Sequence, residues 1–177
     1  MYLISDGGIN LNTPDTIEAI MLTKTINNLD GVKLDVRTSL DNVFLLSRYN
    51  ELNKLTCSNK KVNEEKFDYL KKVKFPSHIF KYYIPTLEEV LKKYDLKKII
   101  VLELYDTNNL DDLLILLIKY PYRYYFKVQS KEMIDKLKEF KLNNIGRIID
   151  NDNIKIINSV SNHDIYDNTF LITEKKE

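Results

Sequence analysis

The sequence predicts an α/β fold, a compact (β/α)8, TIM-barrel-like domain from which several crossover helices are missing. Two observations carry this. Short apolar runs alternate with segments of helical period, the pattern of parallel strands joined by crossovers. Eight such runs can be counted in only 177 residues, whereas such barrels usually need about 250 residues and rarely fewer than about 200. One domain spanning residues 1–177 is expected.

The strands are expected at Tyr2–Ser5, Gly31–Val36, Asn42–Ser47, Lys98–Leu104, Tyr122–Val128, Gly146–Ile149, Ile154–Val160 and Thr169–Thr173. Between the first two, Thr13-Pro14 offers an N-cap and a first-turn proline, and Ile17, Ile20 and Met21 form a buried stripe. Only Arg37 to Asp41 separates the second and third strands, so a loop is expected there. Leu52 to Tyr83 reads as a polar insertion with one short helix near Glu64 to Lys72. Thr86-Leu87-Glu88-Glu89 is a capping box ahead of Val90, Leu91 and Tyr94. Asn108 to Lys119 reads as a helix stopped before Pro121. Ser130 caps a last helix whose Met133, Ile134, Leu137 and Phe140 share one face. The connections after the sixth and seventh strands are too short for helices of the usual length. One flank of the barrel is therefore expected to be thinly covered.

Composition excludes several function classes. Lys+Arg 27 against Asp+Glu 26 leaves a formal charge of +1, so no global field draws the protein to nucleic acid or an anionic membrane. No nucleic-acid partner and no membrane span are expected, because the longest apolar run, Leu113 to Ile118, is far too short to cross a bilayer. The lone Cys57 cannot form an internal disulfide, and Tyr2-Leu3-Ile4 directly after Met1 has no basic leader region. A cytoplasmic protein is expected. Tyr120, Tyr122, Arg123, Tyr124 and Tyr125 mix aromatics with a cation, but alternating tyrosines on a strand are read as packing rather than as a stacking surface. Gly7-Gly8 is read as a tight turn, and the doublets Lys60-Lys61 and Lys97-Lys98 as solvated surface.

Several landmarks recur in one order. Ser5-Asp6-Gly7 ends the first strand, Pro14-Asp15-Thr16 opens the first helix, and Gly31-Val32-Lys33-Leu34-Asp35-Val36 forms the second strand. Asp41-Asn42-Val43 makes a turn, Arg48-Tyr49 ends the third strand, and Ile84 to Leu91 reads IPTLEEVL before Glu103 and Tyr105. This arrangement resembles the glycerophosphodiester phosphodiesterase family. There, a His-Arg-Gly, a Glu-Asn-Thr, a Glu-Leu-Asp-Val strand, a His-Asp and a later Glu occupy the matching places. The resemblance covers roughly the first 140 residues. It implies a TIM-like barrel, hydrolysis of glycerophosphodiesters and a divalent metal, Mg or Ca.

The residues depart from that chemistry. Where the family has its two proton-transferring histidines, this chain has Ser5 and Arg48; a serine is not acidic enough near neutrality and an arginine stays charged. Asp6 stands where an arginine would grip phosphate. Of three metal-binding carboxylates, Asp35 and Glu103 remain, with Lys33 in the third place. Residues i and i+2 of a strand face the same side, so Lys33 is expected between Asp35 and Glu103, its ammonium balancing the charge a cation would have balanced. No cofactor is then expected, unless the protein is active. Lys33, Arg48 and Tyr105 are the candidate ligand-binding residues, and His163 a candidate substitute base beside Asp164.

Three readings follow. The first is a catalytically degenerate barrel that binds a small phosphate-bearing ligand or a protein partner. The second is an active phosphodiesterase, or a related hydrolase or lyase, rebuilt around Asp6, Asp35, Glu103 and His163. The third is a structural or assembly protein, whose thinly covered flank leaves apolar surface for a partner to bury, a second copy in a homo-oligomer being one such partner.

Overall fold

A computed structural model of the chain describes residues 2–8, 15–54, 56, 58–74, 83–94, 97–105, 109–128, 130–139, 146–149, 154–156 and 169–172. Its eight strands are β1 (Tyr2–Asp6), β2 (Gly31–Thr38), β3 (Phe44–Leu46), β4 (Ile99–Leu104), β5 (Arg123–Val128), β6 (Gly146–Ile149), β7 (Ile154–Ile156) and β8 (Thr169–Ile172). Each starts within two residues of a sequence-predicted apolar run, although β3 is shorter, and residues 157–160 of the seventh run lie outside the described residues. The helices are α1 (Ile17–Leu22), α2 (Phe67–Leu70), α3 (Leu87–Lys93), α4 (Leu110–Lys119) and α5 (Lys131–Glu139).

All eight strands belong to one sheet, ordered β6-β5-β4-β2-β1-β8-β7 with β3 attached to β2. Strands β1, β2, β4, β5 and β6 are parallel neighbours. The expectation of parallel strands throughout is corrected at three places. β3 pairs antiparallel with the end of β2, because five residues cannot carry the crossover of a dozen or more that a parallel neighbour needs. Asn42, at φ 62°, makes the hairpin turn instead. β8 runs antiparallel to both β1 and β7.

The central strands β2 and β4 are buried on both faces, and the alternation along the sheet separates two cores. Val32, Leu34, Val36, Ile100, Leu102, Leu104, Tyr124 and Phe126 face α3 and α4 and pack on Leu87, Val90, Leu91, Leu113, Leu114 and Leu117. Each such side chain, fully buried, is worth about 1.5–3 kcal/mol. The opposite face carries a smaller cluster of Ile4, Ile99, Val101 and Tyr125. A third cluster, Leu45, Leu52, Val62, Leu70 and Ile84, shows that the polar insertion has its own small core beneath β3.

Local chemistry fixes the ends of these elements. Thr16 caps α1 by accepting from Ala19 N, whereas the cap expected at Thr13-Pro14 lies outside the described residues. The α3 capping box forms as read, with Thr86 and Glu89 satisfying each other's backbone N–H groups. Asn109 caps α4. Tyr122 donates to the carbonyls of Leu91 and Tyr94, and Tyr124 to that of Tyr120, so the tyrosine cluster packs helices against the sheet. Gly31 is required by close approach, since a Cβ there would stand 2.2 Å from Ile99 O on the neighbouring strand. Lys98 is not solvated surface. Its ammonium donates to the carbonyls of Thr23, Ile26 and Leu29 at 2.9, 2.7 and 2.8 Å. No helix among the described residues is long and apolar enough to cross a membrane.

Candidate functional site

The inner face of the sheet turns from apolar to charged towards the C-terminal ends of its parallel strands. The register causes this. Asp6 on β1 stands opposite Lys33 on β2, Asp35 on β2 opposite Glu103 on β4, and Glu103 opposite Lys127 on β5. Two of these cross-strand pairs join opposite charges, while Asp35 and Glu103 set two carboxylates side by side, an arrangement that needs a cation.

Lys33 supplies that cation. Its Nζ lies 3.0 Å from Asp6 Oδ1, 2.9 Å from Asp35 Oδ1 and 2.7 Å from Glu103 Oε2, with 8% of the side chain exposed. Burial, the largest single influence, pulls the Lys33 pKa down, but the carboxylates of Asp35, Asp6 and Glu103 overcome it and hold it above the ordinary lysine value. Burial likewise pushes Glu103 up, and Lys33 and Lys127 outweigh it, leaving Glu103 below the usual carboxylate range. Lys127 Nζ sits 2.9 Å from Glu103 Oε1.

Arg48 closes the other side. The structure places it two residues beyond β3 rather than at the strand's end. Its Nη2 is 2.8 Å from Asp6 Oδ1 and its Nε 3.4 Å from Asp35 Oδ2. Ser47 and Arg48 are held in place by Arg37, whose guanidinium donates to both their carbonyls and stacks 4.3 Å from the Tyr105 ring centroid. Tyr105 donates its hydroxyl to Asp35 Oδ1 at 2.9 Å, so this candidate ligand residue is committed to a carboxylate. Burial, with the negative charges of Asp35 and Glu103, raises its pKa above that of free tyrosine against the pull of Lys33.

Ser5 takes no part in this cluster. It stands opposite Val32 on the helix-facing side of β1 and donates to Gly8 O at 2.7 Å, closing the turn made by Gly7 and Gly8 at φ 73° and 90°. His163 lies outside the described residues, as do His78 and Cys57.

Sequence reasoning missed Asp15 and Lys127. Asp15 is buried, adopts φ 62°, donates its backbone N–H to Gly7 O and has no hydrogen-bond partner for either carboxylate oxygen. Its Oδ2 lies 3.9 Å from Arg48 Nε. Burial, reinforced by the negative charge of Asp35, pushes its pKa up to about 8 against the pull of Arg48 and Lys33. A signal existed, since this chain has an acid where the resembled family has asparagine. Lys127 could be placed on the inner face by strand period, but its pairing with Glu103 depends on register, which one sequence does not display.

These ion pairs join three cations, Lys33, Arg48 and Lys127, to four carboxylates, Asp6, Asp15, Asp35 and Glu103. With Asp15 protonated the charges balance. The residues do not fit the divalent metal that the sequence resemblance implies, because an ammonium stands at 2.9 and 2.7 Å from Asp35 and Glu103, the two carboxylates that would hold it. Among the described residues no three His, Cys, Asp or Glu side chains are grouped to hold a metal ion. Arg48 and Lys127, 26% and 23% exposed, are the cations that still face the opening.

No family model matches the chain, and no curated protein matches it. Solved structures do. A glycerophosphodiester phosphodiesterase from Agrobacterium tumefaciens superposes with TM-score 0.71 at 21% identity, covering 82% of this chain and 65% of that one. The glycerophosphodiester phosphodiesterase of Thermotoga maritima matches with TM-score 0.67 at 24% identity, covering 84% and 62%. A phosphodiesterase of Oleispira antarctica, solved in complex with its product sn-glycerol-3-phosphate, matches with TM-score 0.68 at 16% identity, covering 81% and 63%. The chain spans somewhat under two thirds of the length of these structures. It thus has the barrel-type fold of the glycerophosphodiester phosphodiesterases.

Proposed function

We propose that this domain binds a phosphate-bearing polyol or similar headgroup at the C-terminal mouth of its sheet and does not hydrolyse it through a metal. The observation that carries this reading is the guanidinium of Arg48 at the position where the resembled enzymes have a histidine. It is held by Asp6 and Asp35, and its pKa is raised further because their attraction, with that of Asp15, outweighs burial. Such a group binds anions and cannot take a proton from water. Ser5, at the other histidine position, is turned into the backbone. What the mouth retains is recognition chemistry, since arginine offers more donors than one carboxylate can accept. The likeness to a phosphodiesterase that holds sn-glycerol-3-phosphate supports the ligand class. Titration of glycerol phosphate followed by NMR should move resonances of Arg48, Lys127 and Asp6, with affinity in the weak range because the cations are already partly paired. A titration that moves none of them removes the reading.

A second reading is favoured by Asp15. A buried carboxyl held protonated to about pH 8 next to an arginine has the character of a tuned acid. It supports a phosphodiesterase, or a related hydrolase or lyase, rebuilt around Asp6, Asp35 and Glu103. Turnover of a glycerophosphodiester that is abolished by Asp15→Asn would select it over simple binding.

A further inference from the structure

We propose that Asp6, Asp35 and Glu103 form a cation cage whose resident cation is the chain's own Lys33 ammonium, so that the mouth takes up no divalent ion until that ammonium is removed. The cage is built from three adjacent parallel strands, β1, β2 and β4, and each contributes one carboxylate oxygen within 3.0 Å of the same Nζ. The ammonium donates to Asp35 and Glu103 and is ion-paired with Asp6, so it neutralises the three facing carboxylates in part by itself, with Arg48 and Lys127 supplying the rest.

Size explains why a tethered ammonium and a metal exclude each other. The nitrogen holds the oxygens at 2.7–3.0 Å, whereas Ca2+ draws oxygen ligands to about 2.3–2.6 Å and Mg2+ to about 2.0–2.1 Å. An incoming divalent ion would have to displace Lys33 from a buried position and leave its charge unpaired. Once the side chain is shortened, Ca2+ or Mn2+ requires the smaller contraction of the cage and is the better-suited occupant.

The test uses the full chain. Mn2+ titrated into the wild type and followed by electron paramagnetic resonance should show no uptake, and the ammonium resonance of Lys33, seen by nitrogen-detected NMR, should persist without paramagnetic broadening. In Lys33→Ala, Mn2+ or Ca2+ should bind about tenfold or more tighter than in the wild type. Adding Glu103→Gln to that variant should abolish the gain. Uptake of Mn2+ by the wild type with broadening of the Lys33 resonance overturns the proposal, as does a folded Lys33→Ala that gains no ion. If Lys33→Ala does not fold even with Ca2+ present, the wild-type resonance alone decides. Anion binding by Arg48 and Lys127 is read separately by phosphate titration, so either idea can fail without the other.

Discussion

Arg48 and Asp6 are bonded to each other at 2.8 Å. The resembled family places a base and a phosphate-gripping arginine at the matching positions; in this chain the cation stands at the first and an acid that pairs with it at the second. Anion binding then depends on how far Asp6 competes with a ligand for the guanidinium. Asp6→Asn should tighten phosphate or glycerol phosphate binding by several-fold, and Arg48→Ala should weaken it by about tenfold, roughly 1.4 kcal/mol. Isothermal titration of both variants checks this. Equal affinities in the two would show that Arg48 does not contact the anion.

Lys33 is a stability determinant as well as an electrostatic one. Lys33→Met keeps the apolar stem but leaves Asp35 and Glu103 side by side without the cation between them, with Arg48 at 3.4 Å and Lys127 at 2.9 Å as their remaining partners. Breaking a buried pair by removing one partner typically costs about 3–5 kcal/mol. Urea denaturation should show a loss of that order. Lys33→Met combined with Glu103→Gln should recover part of it, because one of the two facing charges has gone. A double variant no more stable than Lys33→Met would mean that Asp35 and Glu103 do not repel in the folded state.

Asp15 makes stability depend on pH. Its folded pKa of about 8 lies above the ordinary 3.8, so the folded state holds a proton that the unfolded chain releases. The stability associated with that proton is full below about pH 4 and declines as pH rises towards about 8. Asn keeps the shape, tolerates the left-handed backbone and does not titrate. Asp15→Asn should therefore gain on the wild type as pH increases, by at least about 1.4 kcal/mol between pH 4 and pH 8, one pKa unit's worth. Melting curves for both proteins across that range supply the measurement. A constant difference would place the Asp15 pKa near its ordinary value.

β4 was legible as the near-continuous apolar run that a strand buried on both faces leaves, and β2 as Val32, Leu34 and Val36 alternating with polar residues that are themselves buried. Strand direction was less so. Apolar runs do not reveal polarity, and only the short β2–β3 connection carried that information. Within the site, Lys33 between Asp35 and Glu103 followed from strand period together with the neighbouring strand. Asp15 escaped because its significance lies in what fails to reach it, an absence of donors that only the packed structure creates. The same holds for Ser5, whose direction into the turn depends on the positive φ of Gly7 and Gly8.

Lys98 was hidden in the same way, one half of a basic doublet that composition makes ordinary. Its ammonium reaches the carbonyls of Thr23, Ile26 and Leu29, gathering the end of α1 and the turn that leads into β2. The same turn is pinned by Ile99 N–H donating to Asp30 O and by Leu3 N–H donating to Asp30 Oδ2. Lys98 thus ties the entrance of β2, the strand that carries Lys33 and Asp35, to the start of β4, which carries Glu103. Lys98→Met preserves the stem and removes only the donors. The orphaned carbonyls should cost about 1–3 kcal/mol, since a buried acceptor without a partner loses its desolvation free energy while part of the turn can rehydrate. Hydrogen exchange should then accelerate at Leu29 and Asp30 more than at the centre of β4. Lys98→Arg, which retains donors in a planar fork, should lose less. If Lys98→Met unfolds at the wild-type urea midpoint with unchanged exchange at Leu29, the ammonium is dispensable, and the register of β2 against β4 must be held by the ladder and the Gly31–Ile99 contact alone.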